Sequence, residues 1–435
     1  MSKHLLFSSP ASSAVSSAVS SVASSVASSP ASSAAFLPAF LRPFFPNFLP
    51  AFCLIAMIAV FPACSKIGAG AGDHSIKISS YSPISIHGGD TLIVYGQNLP
   101  TDLSSYSVTL NGKPFIVIAS SQDSIEAIVP KMAGSGNATV TVGSTSYTGP
   151  FLTYVYVATV TTIAGTGQVG TNSGPALSSS FNCPWGITAD ANGDLYIADC
   201  YNRLLRKYTA SVASVSTIPI PETVSFYSPY NIALDRVTHN LYVTDFNLHL
   251  LKVNSNSNMT LIYNDSMPNA GIALGPDGFL YMSNNTYGTI IRLDTNGNNR
   301  SLFGSNIITP RNIIFDKSGN LYVGAYGIYK ITPADVMSEV VLDAQFKGWE
   351  IAMDTIGNIY EADHFNNNLR LIEASTGNIY TIAGSGTAAD IDGIGLNASF
   401  NGPQGLTIDD NGVLYLTTYN YDTGGGNEIR KITVQ

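Results

Sequence analysis

Charged side chains make up only 11% of this 435-residue sequence, and no stretch is rich in lysine or arginine. The formal net charge is −9. The chain therefore lacks the basic surface with which proteins hold phosphate backbones. We expect no nucleic-acid partner.

Signatures of common catalytic centres are also missing. There are six histidines and four cysteines, and the repeat described below separates His239, His249 and His364, so a three-histidine zinc site is not expected. The sequence has no Gly-x-Ser-x-Gly motif, no glycine-rich phosphate loop before a helix and no cysteine–histidine pair. These absences argue against serine hydrolases, P-loop enzymes and cysteine hydrolases.

The first 71 residues have the composition of a leader. Residues 8–35 are almost entirely Ser, Ala and Val, which cannot form a core. An apolar run over residues 48–63 has the length of a signal-peptide core, and it ends in Phe-Pro-Ala-Cys-Ser at 61–65. This ending resembles the lipobox of bacterial lipoproteins, which implies cleavage before Cys64 and lipidation of that residue.

Ordinary cleavage after Ala71 and an uncleaved anchor are the alternatives to lipidation. Each of the three sends the remaining residues out of the cytoplasm. We therefore expect an exported protein of the cell envelope, lipid-anchored at the outer membrane or the cell surface.

Residues 76–156 show short alternating segments between turn residues, which predict an all-β sandwich. The segments Gly-Gly-Asp-Thr at 88–91, Tyr-Gly-Gln-Asn-Leu at 95–99 and Val-Thr-Leu-Asn-Gly at 108–112 resemble those of IPT/TIG domains. The resemblance implies an immunoglobulin-like fold that serves as a spacer or as a carbohydrate-associated module.

A repeat dominates residues 157–435. Its clearest copy runs from Pro184 to Asp199, and its tyrosines recur at intervals of 38 to 55 residues, which fits four short strands per unit. An Asp-x-x-Gly turn joins two strands that are apolar on both faces, as expected when each sheet lies between two others. The sequence therefore predicts a β-propeller.

The ends of this region predict how the propeller closes. Five outer strands lie between six units, and the segment 158–164 supplies a strand for the last unit, so we predict six blades. The units resemble NHL repeats, above all Pro-Trp-Gly-Ile at 184–187 and Leu-Tyr-Ile-Ala-Asp at 195–199. The resemblance indicates the fold strongly but the function weakly, because NHL proteins include both binding scaffolds and lyases.

Cys183 and Cys200 flank the first Asp-x-x-Gly hairpin symmetrically, and they are predicted to face each other across adjacent strands. In an oxidising compartment we expect a disulfide between them. Two packed thiols are the alternative.

Two sets of positions are candidate sites at one end of the propeller channel. Aromatic rings with Arg and Gln suit a sugar or peptide platform, although the rings can equally pack as core. These predicted ligand-binding residues directly follow the position of each repeat that is equivalent to Pro184, and they are Trp185, Tyr230, Arg311, Trp349 and Gln404.

At the next position, where NHL repeats favour glycine, stand Asn231, Asn312 and Glu350. Oxygen ligands of this kind accept Ca²⁺, and their arrangement resembles lactonase-type propellers. Two functions follow as hypotheses. The favoured one is a non-catalytic binding protein that recognises an extracellular glycan or protein at the propeller mouth, and the alternative is a calcium-assisted hydrolase or lyase.

Overall fold

The computed structural model describes residues 74–221, 226–247, 249–264, 269–341 and 350–435, without the side chains of 269 and 270. Cys64 and the rest of the leader, as well as Trp349, lie outside these residues. Within them the helical elements are four short 3₁₀ turns, and none is long and apolar enough to cross a membrane. The turns span Leu103–Ser105, Ala176–Ser178, Ala210–Val212 and Gly395–Asn397.

The first folded domain is a sandwich of two sheets. The strands alternate between buried and solvent-facing residues, as in β8, where Ala138, Val140 and Val142 point into the core. One sheet has the order β1-β3-β7-β6 and the other the order β2-β9-β8-β4-β5. The strands are β1 Lys77–Ser82, β2 Ser85–Ile86, β3 Thr91–Gln97, β4 Tyr106–Leu110, β5 Lys113–Pro114, β6 Ile116–Ser120, β7 Ser124–Ile128, β8 Gly136–Val142 and β9 Thr145–Tyr154.

Six antiparallel sheets follow, and we call them blades 1 to 6. The strands of blades 1 to 3 are preceded by β10 Ala158–Ala164. Blade 1 contains β11 Gly174–Pro175, β12 Pro184–Ala189, β13 Leu195–Asp199, β14 Leu204–Thr209 and β15 Ser214–Ile218; blade 2 contains β16 Pro229–Leu234, β17 Leu241–Asp245, β18 His249–Val253 and β19 Met259–Asn264; blade 3 contains β20 Asn269–Leu274, β21 Leu280–Asn284, β22 Thr289–Leu293 and β23 Ser301–Gly304.

Blades 4 to 6 complete the six sheets. Blade 4 contains β24 Ile313–Phe315, β25 Leu321–Ala325, β26 Gly327–Ile331 and β27 Met337–Val341; blade 5 contains β28 Glu350–Met353, β29 Ile359–Asp363, β30 Asn368–Ile372 and β31 Ile379–Ala383; blade 6 contains β32 Gly393–Ile394, β33 Pro403–Ile408, β34 Leu414–Tyr419 and β35 Gly426–Val434. In blades 4 and 5 the strands are neighbours in chain order, whereas blade 6 has the order β32-β10-β35-β34-β33.

The blades form a closed ring. The innermost strands β12, β16, β20, β24, β28 and β33 contact one another in that order, and β33 contacts β12 again. Blade 6 is completed by β10, whose Val160 is paired with Ile432 of β35. The propeller therefore joins its first and last strands within one sheet.

The innermost strands approach one another closely around the channel. A Cβ atom on Gly405 of blade 6 would lie 2.0 Å from the carbonyl oxygen of Trp185, and one on Gly271 of blade 3 would lie 2.2 Å from that of Arg311. Glycine is needed at these positions because any side chain would displace the neighbouring backbone.

Buried arginines on third strands hold the long loops of blades 1 and 6. Arg206 is fully buried, and it donates to the carboxylate of Asp199 at 3.0 Å and to the carbonyl oxygens of Ser180 and Asn172. Arg430 takes the equivalent place in blade 6, with Ser399 O, Asp390 and Asp392 as partners. In each blade a buried guanidinium group on the third strand therefore donates hydrogen bonds to oxygen atoms of the loop and fixes the loop to the sheet.

The sandwich contacts the face of the propeller that carries the turns between third and fourth strands. Glu373 follows β30 and is fully buried; its Oε1 accepts hydrogen bonds from the Ser135 N–H at 2.6 Å and from the Tyr156 hydroxyl at 2.7 Å. The rings of Tyr156 and Tyr380 lie 5.7 Å apart. A cavity of about 890 Å³ between this face and the sandwich is lined by Lys113 and Lys131, among others.

Candidate functional site

The opposite face is left open by the sandwich, and we call it the mouth. Each innermost strand begins there, and each second strand ends there, because the two are antiparallel; Pro184 is paired with Asp199 in blade 1. Both predicted sets of site residues belong to innermost strands at this end or to the residues next to them.

Trp185 is the centre of an aromatic cluster at the mouth, but its own side chain is buried, with 7% of its surface exposed. It packs with Cys183, Cys200 and Tyr419. Its ring lies 4.4 Å from that of the half-buried Tyr230. Trp185 therefore packs as a core residue, which was the alternative to a platform role, and the rings next to it form the accessible surface of the mouth.

Exposed aromatic rings surround this cluster, and they were not among the predicted site residues. One ring comes from the loop between the second and third strands of each blade, one to three residues after the second strand ends. Their exposed fractions range from 40% to 60%. We call them the aromatic crown: Tyr201, Phe246, Tyr287, Tyr326, Phe365 and Tyr421.

Gln404 and Arg311 differ in how far they reach the surface of the mouth. Gln404 is fully buried, and its Nε2 donates to the carbonyl oxygen of Tyr419 at 3.2 Å. Arg311 is half-buried, and its charge lowers the pKa of Tyr230 against the larger effect of burial, which raises it. Of these two residues, Arg311 is therefore the one that can reach a polar ligand, whereas the buried side chain of Gln404 holds the backbone of Tyr419 in place.

Asn231, Asn312 and Glu350, from three innermost strands or the residues next to them, form a buried polar cluster that we call the plug. The structure brings these three predicted residues together from blades 2, 4 and 5, and all are buried. Nδ2 of Asn231 donates to Glu350 Oε1 at 3.3 Å, and Nδ2 of Asn312 donates to Oε2 at 2.5 Å. Burial raises the pKa of Glu350 to about 8, against the lowering effects of Asn312 and Arg311.

The plug does not fit calcium as arranged. Its amides turn their N–H groups, not their oxygens, towards Glu350, and Asn231 Oδ1 already accepts from the Ile232 N–H at 2.8 Å. Calcium needs six to eight oxygen ligands. Nor do the residues that the structure describes contain a group of three His, Cys, Asp or Glu side chains placed to hold a metal.

Comparisons with known proteins agree with this architecture. The IPT/TIG domain model matches residues 77–156, and the NHL repeat model matches residues 181–208. The chain contains an IPT/TIG domain followed by an NHL-type β-propeller. Both predicted fold classes are confirmed.

Similar proteins share the fold at low identity. A crystal structure of a protein of unknown function from Bacteroides thetaiotaomicron has 21% identity and a TM-score of 0.59, covering 84% of this chain and 99% of that one. An auxiliary nutrient binding protein from the same species has 18% identity and a TM-score of 0.52, covering 82% and 97%.

One curated relative matches part of the chain. SUPPRESSOR OF QUENCHING 1 of Arabidopsis thaliana, a chloroplastic protein, is 26% identical over an aligned length of 291 residues, and the match covers 59% of this chain. The match spans about a quarter, 26%, of that protein's length.

Acidic and amide side chains at the ends of second strands of the NHL propeller cap the loops of the mouth. Asp245 accepts from the backbone N–H groups of Asn247 at 2.9 Å and His249 at 3.0 Å. Asn284 accepts in the same way from Thr286 and Tyr287. These caps orient the loops that carry the aromatic crown.

The two cysteines of blade 1 are neighbouring free thiols, both fully buried. The N–H of Cys200 donates to the carbonyl oxygen of Cys183 at 3.2 Å. Hydrogen bonding to Cys200 and burial raise the pKa of the Cys183 thiol far above its usual range. Cys183 also has a φ of 57°, where blade 6 has Gly402 with a φ of 68°. The disulfide stays a prediction.

We expect oxidation to join Cys183 and Cys200 and to stabilise the propeller by about 3 kcal/mol, since the bond closes a short loop in the unfolded chain. Alkylation of the denatured protein with peptide mapping checks this: the oxidised protein should carry no label at either residue, and reduction should lower its midpoint of chemical denaturation. Full labelling of both residues after treatment with oxidised glutathione would contradict the prediction.

Proposed function

We propose that this is an exported binding protein that recognises an extracellular glycan or protein at the mouth of its propeller. The aromatic crown carries the proposal, because every blade presents a partly exposed ring on the face that the IPT/TIG domain leaves open. Aromatic side chains supply large contact areas with little conformational entropy to lose, which suits a recognition surface. The nutrient-binding role of the similar Bacteroides protein supports a binding function.

The IPT/TIG domain would act as a spacer. It follows the leader along the chain and contacts the propeller on the face opposite the mouth, through Glu373 and Tyr380. If Cys64 is lipidated, this arrangement directs the mouth away from the membrane. The localisation and the anchor are part of the proposal.

The calcium-assisted hydrolase is the less favoured alternative. It would need the plug residues to offer oxygens to a metal, whereas the amides of Asn231 and Asn312 donate to Glu350. The plug instead uses these amides as donors to Glu350, and Asn312 Oδ1 is left buried without a hydrogen-bond partner among the described residues.

Trp185 can report binding, because it is one of only two tryptophans. In a Trp349→Phe variant, we expect a ligand bound at the mouth to shift or quench the emission of Trp185 by at least 10%, since its ring packs directly under the surface that the ligand covers. The measurement is a fluorescence titration of the full chain with defined oligosaccharides and with defined peptides, paired with calorimetry.

The control is Trp185→Phe, which keeps an aromatic ring in the cluster and should lose the signal while retaining the heat of binding. A ligand that produces heat in calorimetry but leaves the Trp185 emission unchanged in the Trp349→Phe variant would show that binding occurs elsewhere.

A further inference from the structure

Part of the aromatic crown is connected by ring contacts into an arc across four adjacent blades. Each exposed ring of the arc packs against a half-buried or buried ring, which fixes its position. The centroid distances are 5.4 Å for Phe365–His364, 5.6 Å for His364–Tyr421, 5.8 Å for Tyr421–Trp185, 4.4 Å for Trp185–Tyr230 and 5.0 Å for Tyr230–Phe246.

The exposed members of this arc are Phe365, Tyr421 and Phe246, from blades 5, 6 and 2. Tyr201 of blade 1 joins it through Tyr419, whose ring lies 5.7 Å from Tyr201 and 5.1 Å from Tyr421. Several flat surfaces therefore follow one another around the channel. A ligand that uses all of them must be elongated and must present an apolar face at several points along its length.

Polar side chains next to these rings are mostly uncharged. Asn247, Asn366 and Thr423 are exposed and lie within two residues of a crown ring. Arg203 and Asp422 contribute one charge of each sign. The half-buried Arg311 adds a positive charge near Tyr230 and His364. Flat aromatic faces beside amides and hydroxyls match sugars, which pair an apolar C–H face with hydroxyl groups on every unit. These three charged groups do not form a patch of one sign, which an anionic or cationic polymer would need for strong attraction.

We propose that the arc binds a neutral linear oligosaccharide, whose sugar units stack on Phe365, Tyr421 and Phe246. This inference rests on the proposed function, because it names the ligand class for the same mouth. It differs from a protein-binding surface in that recognition runs along a row of separate rings with uncharged polar groups between them. Affinity should therefore increase with oligosaccharide length until the arc is filled.

The test is isothermal titration calorimetry of the full chain with neutral glucan, mannan, xylan and fructan oligosaccharides of two to eight units. We expect at least one series to bind, with affinity rising with length. Tyr421→Ala and Phe246→Ala should each weaken binding about tenfold, whereas Tyr421→Phe should bind like the parent. Tyr421→Leu keeps apolar bulk without a flat face, and it should lose as much as Tyr421→Ala.

Tyr326→Ala is the matched control, because Tyr326 is a crown residue of blade 4 that is at least as exposed as Tyr421 and Phe246 and is not a member of the arc. It should bind like the parent, and all variants should keep the parent's thermal midpoint. Equal weakening by Tyr326→Ala and Tyr421→Ala would overturn the arc.

Three other results separate this inference from the proposed function. If only peptides bind and Tyr421→Ala weakens them, the oligosaccharide inference fails and mouth binding stands. If only charged glycans bind, and their affinity depends strongly on salt, the inference of a neutral ligand fails and the proposed binding function of the mouth stands. If ligands bind and no mouth variant changes their affinity, both proposals fail.

Discussion

Replacing Arg206 by alanine is expected to lower the free energy of unfolding of the propeller by about 3–5 kcal/mol. The guanidinium and the carboxylate of Asp199 are both fully buried and lie 3.0 Å apart. Among the described residues, removing Arg206 leaves Asp199 without its cation and the carbonyl oxygen of Ser180 without a donor, and it leaves the carbonyl oxygen of Asn172 with only the Ser180 N–H. Urea denaturation followed by circular dichroism measures the loss.

Arg236→Ala is the matched control, because Arg236 pairs with Asp410 on the surface, where both side chains are exposed. It should cost no more than about 1 kcal/mol. The effect of Arg206→Ala should also depend on pH. Burial already raises the pKa of Asp199 to about 6, against the lowering effect of Arg206, so the variant is penalised most above that pH and less at pH 5, where the carboxyl is protonated. Equal losses for both arginines would contradict the role of the buried pair.

The second large effect is expected from Glu350→Gln at alkaline pH. The carboxyl has a pKa of about 8 in the folded protein, against 4.5 as its ordinary value, so the folded state binds more protons than the unfolded state between these pH values. The free energy of unfolding of the parent therefore falls as pH rises from about 4.5 to about 8, by roughly 3–5 kcal/mol from this group. The variant lacks this loss and should be the more stable protein at pH 9.

The measurement is a series of urea denaturation curves from pH 5 to pH 9. The advantage of Glu350→Gln over the parent should grow across this range. Glu339→Gln is the matched control, because it removes an exposed carboxylate on β27, and its stability should stay within about 1 kcal/mol of the parent's. Asp199 and Glu428 also have raised pKa values, of about 6 and about 7, and they give both proteins a further decline that cancels in the comparison. A pH-independent difference for Glu350→Gln would refute the prediction.

The repeats were predictable from sequence because each unit carries its own turn chemistry and apolar strands. The strand at 158–164 was predictable as well, since a unit with an unpaired strand needs a partner. The state of Trp185 was not predictable, because its burial depends on Tyr230 and Tyr421 from two other blades. The identity of a residue at a given position of the repeat does not determine how much of its side chain the neighbouring blades shield from solvent.

The aromatic crown left a signal in the sequence, but a weak one. Its members stand one to three residues after the second strands, so no constant spacing marks them. An alignment of the loops by strand ends, with attention to any aromatic residue, would have found all six. The contact between Asn231 and Glu350 left no such signal, since it crosses the channel and depends on how closely the ring closes.

The pairing of β10 with β35 has a consequence for the order of folding. These strands meet across almost the whole length of the propeller sequence, with Ala158 opposite Val434. During synthesis from the N-terminus, blades 1 to 5 can pair their strands locally, while β10 pairs with only two residues of β32 until residues 426–434 have been made. We therefore expect the propeller to form first as an open row of sheets, in which the edges that β10 and β35 later share are unpaired. The pairing of β10 with β35 should be the slow, nonlocal step, and it protects these edges from pairing with other chains.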